Sequence, residues 1–213
     1  MQRTIWWRAL LCEALASCGL LSNAPPLEIR YFQPPTAGPK SLEANGGTTP
    51  LELGRVTPSA HLRYEIVYRG SPVELALYDA LRWSERPDTY VRRALIHELF
   101  EVRSMVEAVS GSVPTLEVEV LAFEEVRHGE RRAGHVQLRY KLAGSRAVLA
   151  SGVISVERPA SSARIEAIVE AIGAALTAAS AELADVVEAT LARPKPKRTD
   201  PRPDEDRSRP TTG

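Results

Sequence analysis

From residue 61 to residue 156 apolar and polar positions mostly alternate, and one block of helical spacing interrupts them. His61–Tyr68 sets Leu62, Tyr64, Ile66 and Tyr68 on one side, and Val73–Leu77 alternates again after Gly70-Ser71-Pro72. A period of two predicts half-buried strands. Tyr78–Trp83 fits either state. In Asp88–Val109 the spacing changes: Val91, Leu95, Leu99, Val102 and Val106 recur every three or four residues, with Ile96 and Phe100 widening the stripe. That predicts a first helix, starting near Pro87 or Asp88 and ending at Ser110-Gly111. Alternation returns in Thr115–Val126, Ala133–Leu142 and Val148–Val156, separated by short polar turns, and predicts an antiparallel three-stranded meander. A long second helix follows. Ser161 or Ser162 is the expected cap, and Ile165, Ile168, Val169, Ile172, Leu176, Leu183, Val187 and Leu191 form its stripe. Upstream, residues 19–60 are rich in proline and glycine, with short candidate strands at Leu27–Phe32 and Leu51–Val56. The order predicts an α+β fold: a mainly antiparallel sheet with two main helices packed on one face.

The first residues follow a different pattern. Arg3 gives a positive start, and Ile5 to Ala16 is mostly apolar yet too short to span a bilayer as a helix. Arg8 and Glu13 interrupt it. Leu15-Ala16-Ser17-Cys18 has the order of a bacterial lipobox: an apolar residue, two small ones and a cysteine. The thiolate is the nucleophile such a site needs, so Cys18 is the expected lipidation residue and new N-terminus. Cys12 would leave with the signal. Gly19 stands where an aspartate would retain an enteric-type lipoprotein at the inner membrane. The chain therefore divides into a signal peptide (1–17), a lipidated tether (18–26), a folded domain (27–192) and a tail (193–213). The tail has five prolines, seven basic and four acidic residues and no large aliphatic, which predicts disorder.

Composition narrows the function. Lys plus Arg and Asp plus Glu are both 27, so net charge is zero and no basic stripe offers itself to nucleic acid. The only two cysteines are Cys12 and Cys18, which excludes a disulfide framework or a cysteine-based zinc site in the domain. None of His61, His97, His128 and His135 has a second histidine at ligand spacing. His97 and Glu101, four apart on a helix, read as a surface pair. Glu124 and Glu125 are adjacent in a strand, so they point to opposite faces and form no local acid–base pair. No nucleophile elbow, phosphate loop or dinucleotide fingerprint is present, and the chain is expected to be non-catalytic, with no metal and no cofactor. Trp83, in "LRWSERP", is the candidate partner contact, set against a plain core role.

Several segments, in this order, resemble the ABC-type transport auxiliary lipoprotein family, which includes the lipoprotein of Pqi-type systems. They are "IRYFQP" at Ile29–Pro34, "HLRYEIVYRGSPVELALYDALRWSERPDTYVRRALIHEL" at His61–Leu99, "LEVEVLAFEEV" at Leu116–Val126 and the terminal "AELADVVEATL". Trp83 with Pro87, and Phe123 with Glu124, match the family's tryptophan–proline step and phenylalanine–acid pair. The resemblance implies an outer-membrane lipoprotein facing the periplasm. Its implied partners are a mammalian-cell-entry (MCE) domain protein and the associated ABC permease and ATPase, which move lipids or other hydrophobic molecules between membranes. It also implies a homo-oligomeric ring. A rival reading is an outer-membrane assembly lipoprotein of the lipopolysaccharide-assembly type. A periplasmic hydrolase is a third, disfavoured by the missing nucleophile–base arrangement.

Overall fold

The computed structural model describes residues 27–35, 48–103, 105–109 and 112–193. The strands are β1 (Arg30–Phe32), β2 (Pro50–Pro58), β3 (Glu65–Ser71), β4 (Glu74–Trp83), β5 (Val106–Glu107), β6 (Thr115–His128), β7 (Arg131–Ala143) and β8 (Val148–Pro159). The helices are α1 (Pro87–Ile96), continued by one π-helical turn (His97–Val102), and α2 (Ile165–Leu191).

Strand β6 is the spine. One edge pairs along its whole length with β7, which pairs outward with β8, both antiparallel. The two-residue β6–β7 turn opens on Gly129 at φ 63°, the positive φ such a hairpin needs. The other edge of β6 is shared end to end. β2 runs parallel to its first half, and β3 runs parallel to Glu124–Val126. A turn with Ser59 N donating to Val120 O at 2.9 Å links the two strands. β4 pairs antiparallel with β3, and β1 lies parallel on β4.

Both helices pack on one face of this sheet. The face presents Leu116, Val118, Val120 and Phe123 from β6 and Val136, Leu138, Tyr140 and Leu142 from β7, all buried. Against it α2 buries Ile168, Ile172, Leu176, Leu183 and Val187, along with many alanines between them. By length and composition α2 could cross a membrane, but 67% of its most apolar window is buried, which makes it the core helix of this domain. Alanine gives it helix propensity and lets it lie close to the sheet.

The α+β class and the meander stand as expected, with corrections in detail. The sheet is mixed: its three long ladders are antiparallel, but β1–β4, β2–β5, β2–β6 and β3–β6 are parallel. Hairpin logic sees only neighbours joined by short turns, so it cannot find these pairs. Tyr78–Trp83 is strand. The expected strand from His61 begins at Glu65, because residues 59–62 form the β2–β3 turn. The first helix is shorter than Asp88–Val109: Arg103 N donates to Glu98 O at 2.9 Å, a five-residue step that closes the π turn, and Val106–Glu107 pairs with β2. Helix α2 starts without a serine cap. Arg164 is the capping residue and makes no side-chain cap bond. The signal (1–17), the tether (18–26) and the tail beyond residue 193 lie outside the described residues.

Candidate functional site

Two features stand out chemically: a pair of buried carboxylates in β6, and a cleft between the helices. Glu124 and Glu125 are both fully buried. As neighbours in a strand they point to opposite faces, and each finds its own cations. Glu124 accepts from Arg69 Nε at 2.7 Å and Nη2 at 3.3 Å, and His135 Nδ1 stands 3.6 Å away. Glu125 meets Arg127 Nε at 3.0 Å and Arg132 Nε at 3.1 Å, and accepts from the Tyr78 hydroxyl at 2.5 Å. The Arg127 guanidinium lies 3.6 Å from the Tyr68 ring centroid. Burial, reinforced by Glu125, pushes the Tyr78 hydroxyl up to about 12. These contacts tie β3 and β4 to β6 and β7. A buried charge is tolerated only when paired in this way.

Burial pushes the Glu124 carboxyl upward, but His135 and Arg69 outweigh it and hold it below its usual 4.5. A depressed folded-state value stabilises the fold above the ordinary carboxylate range, and that contribution is lost as pH falls through the lower value. Glu124→Gln is therefore expected to lower the melting temperature at pH 7 and to flatten its decline between pH 5 and pH 3. Thermal unfolding followed by circular dichroism across that range checks this. Parallel declines in the two proteins would remove Glu124 from the acid response.

The second feature is a cleft of about 270 Å3 between α1 with its π turn and α2. Pro35, Ala94, Ile96 and Leu176 give it apolar walls, and Arg93, His97, Glu98, Glu101, Thr177 and Ser180 make the rest of its lining polar. The π turn shifts the helical register, so Leu99 remains in the core while His97 and Glu101 line the cleft. His97 Nδ1 is 2.7 Å from Glu101 Oε2. Ser180 is 2% exposed and its Oγ has no hydrogen bond. A buried hydroxyl left unpaired costs about 1–3 kcal/mol, which a bound hydrogen-bonding group would recover. The cleft can thus accept a side chain or small molecule that pairs an apolar body with polar atoms. Ser180 Oγ makes no hydrogen bond in this structure, and the His97 imidazole is held by Glu101.

The sequence-predicted residues fall in different places. Cys18 lies outside the described residues. His97 and Glu101 do pair, as their spacing suggests. The expectation for Trp83 as a partner contact is corrected: it is fully buried, its ring 5.2 Å from Phe123 and 6.1 Å from Tyr90, both edge-on. It joins β4 and β6 to α1 from inside and presents no surface. Sequence reasoning missed the carboxylate network and Ser180. The signals were present: two acids inside an apolar strand, and one serine in an alanine-rich helix stripe. Among the described residues no group of three His, Cys, Asp or Glu side chains could hold a metal ion.

A family model described as the ABC-type transport auxiliary lipoprotein component matches residues 32–184, nearly the whole described domain. The chain belongs to this family. The auxiliary lipoprotein fold is shared by solved structures. A Xanthomonas campestris protein of the DUF330 family has 22% identity and a TM-score of 0.65, with 76% of this chain and 96% of that chain covered. A second solved protein, described only as uncharacterized, has 18% identity and a TM-score of 0.62, covering 75% and 99%. No curated protein matches the auxiliary lipoprotein's sequence. Family membership associates the chain with ABC-type transport and with membrane anchoring as a lipoprotein.

Proposed function

We propose that this auxiliary lipoprotein is a non-catalytic component of an MCE-type ABC transport system that moves lipids or other hydrophobic molecules between two membranes. In this reading the lipid on Cys18 holds it at the outer membrane, and the domain faces the periplasm. The observation that carries the proposal is the family match over residues 32–184, preceded by Leu15-Ala16-Ser17-Cys18. Gly19 in place of an aspartate supports the outer membrane. The interhelical cleft is the seat offered to a partner side chain that pairs an apolar body with polar atoms.

Affinity purification of the full tagged chain from detergent-solubilised membranes tests this. The expected companions are an MCE-domain protein with its permease and ATPase. Recovery of lipopolysaccharide-assembly components instead, or of no transport component, would overturn the reading.

A further inference from the structure

The chain passes from the tether into the domain through residues 27–32, which end in β1 and carry three exposed apolar side chains. Leu27 is 64% exposed, Ile29 46% and Tyr31 67%. The alternate residues face the helices: Arg30 Nη2 donates to Glu166 Oε1 of α2 at 2.8 Å, and its guanidinium lies 4.9 Å from the Phe32 ring centroid. Tyr31 therefore lies on the open side of the edge strand, and Leu27 and Ile29, just before it, are exposed as well. Among the described residues the outer edge of β1 has no paired strand. β1 runs parallel to the last three residues of β4, Leu81–Trp83, so the chain joins the sheet at the end of β4 away from the β3–β4 turn.

Only eight residues, 19–26, separate Cys18 from Leu27. Even fully extended they reach about 30 Å. The apolar row is thus held close to whatever surface receives the Cys18 lipid. We propose that Leu27, Ile29 and Tyr31 rest on that lipid surface and, together with the covalent lipid, orient the domain with the β1 corner toward the bilayer. The proposal rests on the anchoring reading above. Tyrosine suits a membrane–water interface, with an apolar ring and a hydroxyl that stays wet. A second contact adds to the acyl chains and fixes orientation, which flexible chains alone do not.

Tryptophan fluorescence tests this cleanly. Trp6 and Trp7 precede Cys18, so the mature chain keeps only Trp83, which is fully buried. Tyr31→Trp and Ile29→Trp place a reporter in the row. Val153→Trp places one on β8 at the far edge of the sheet, where Val153 is 49% exposed. The lipidated full chain is reconstituted in phosphatidylethanolamine–phosphatidylglycerol vesicles containing brominated lipid. The expected result is loss of the added emission for both row reporters and none for Val153→Trp. If the protein floats with the vesicles but the row reporters are quenched no more than Val153→Trp, the inference fails while the anchor stands. Unquenched reporters that crosslink to a second copy assign the row to an oligomer instead, which also overturns it. If the protein does not float at all, the anchoring reading fails and this inference fails with it.

Discussion

Gly134→Ala is expected to destabilise the domain by about 3 kcal/mol or more, the upper end of what overpacking costs. A Cβ built at Gly134 would lie 2.2 Å from Ile172 N and 2.4 Å from Ala171 C. Both are backbone atoms of α2, so no side-chain rotation relieves the clash. The helix must lift from β7 or the strand must bend, and either opens the interface that buries Ile168, Ile172 and Leu176. The same helical turn is confined from above. A Cβ at Gly173 would lie 2.7 Å from Pro35 Cδ, so the segment following β1 crosses α2 there. Small domains have only about 5–15 kcal/mol in total, so a loss of this size would be plain in a urea titration. Gly70→Ala is the control. Its Cβ would meet only the end of the exposed Glu74 side chain, at 3.4 Å, and stability should be unchanged or slightly higher. Equal midpoints for wild type and Gly134→Ala would show that α2 does not lie against β7 as described.

The sequence makes the meander and both helices legible because each carries its own periodicity. β7 shows this best: Gly134, Val136, Leu138, Tyr140 and Leu142 occupy one face and are all buried. Contacts between distant segments were not legible. The parallel seat of β2 and β3 on β6 joins residues about sixty apart, and no local pattern encodes it. The π turn escaped because Leu99, Val102 and Val106 continue a helical spacing through a segment where tertiary packing, including the pairing of Val106 with β2, imposes another geometry. Trp83 was legible both as a candidate partner contact and as a core aromatic, and its charged neighbours in "LRWSERP" left the two readings side by side. In fact Arg82 reaches Tyr78 O at 2.9 Å, and the Glu85 carboxylate pairs with Arg93 at 2.9 Å, leaving the indole inside. The opposed directions of Glu124 and Glu125 followed from strand geometry alone. Their cations did not, because Arg69 and Arg132 come from strands on opposite sides of β6.

The largest functional effect is expected at Cys18. Lipidation contributes roughly 0.8 kcal/mol per buried methylene, so the multiple chains of a bacterial lipoprotein hold a protein firmly, where an apolar row of three residues cannot. Cys18→Ala removes the only thiol available at the predicted cleavage point, and serine could not replace it because a thiolate is the required nucleophile. The domain itself should fold unchanged, since Cys18 precedes its first described residue by nine positions. Labelled-palmitate incorporation with membrane fractionation, on wild type and Cys18→Ala in a diderm bacterium, tests the central claim most directly. The account predicts label on the wild type in the outer-membrane fraction, and no label with release from that membrane for Cys18→Ala. A wild-type protein that takes no label and fractionates as a free periplasmic protein would contradict it.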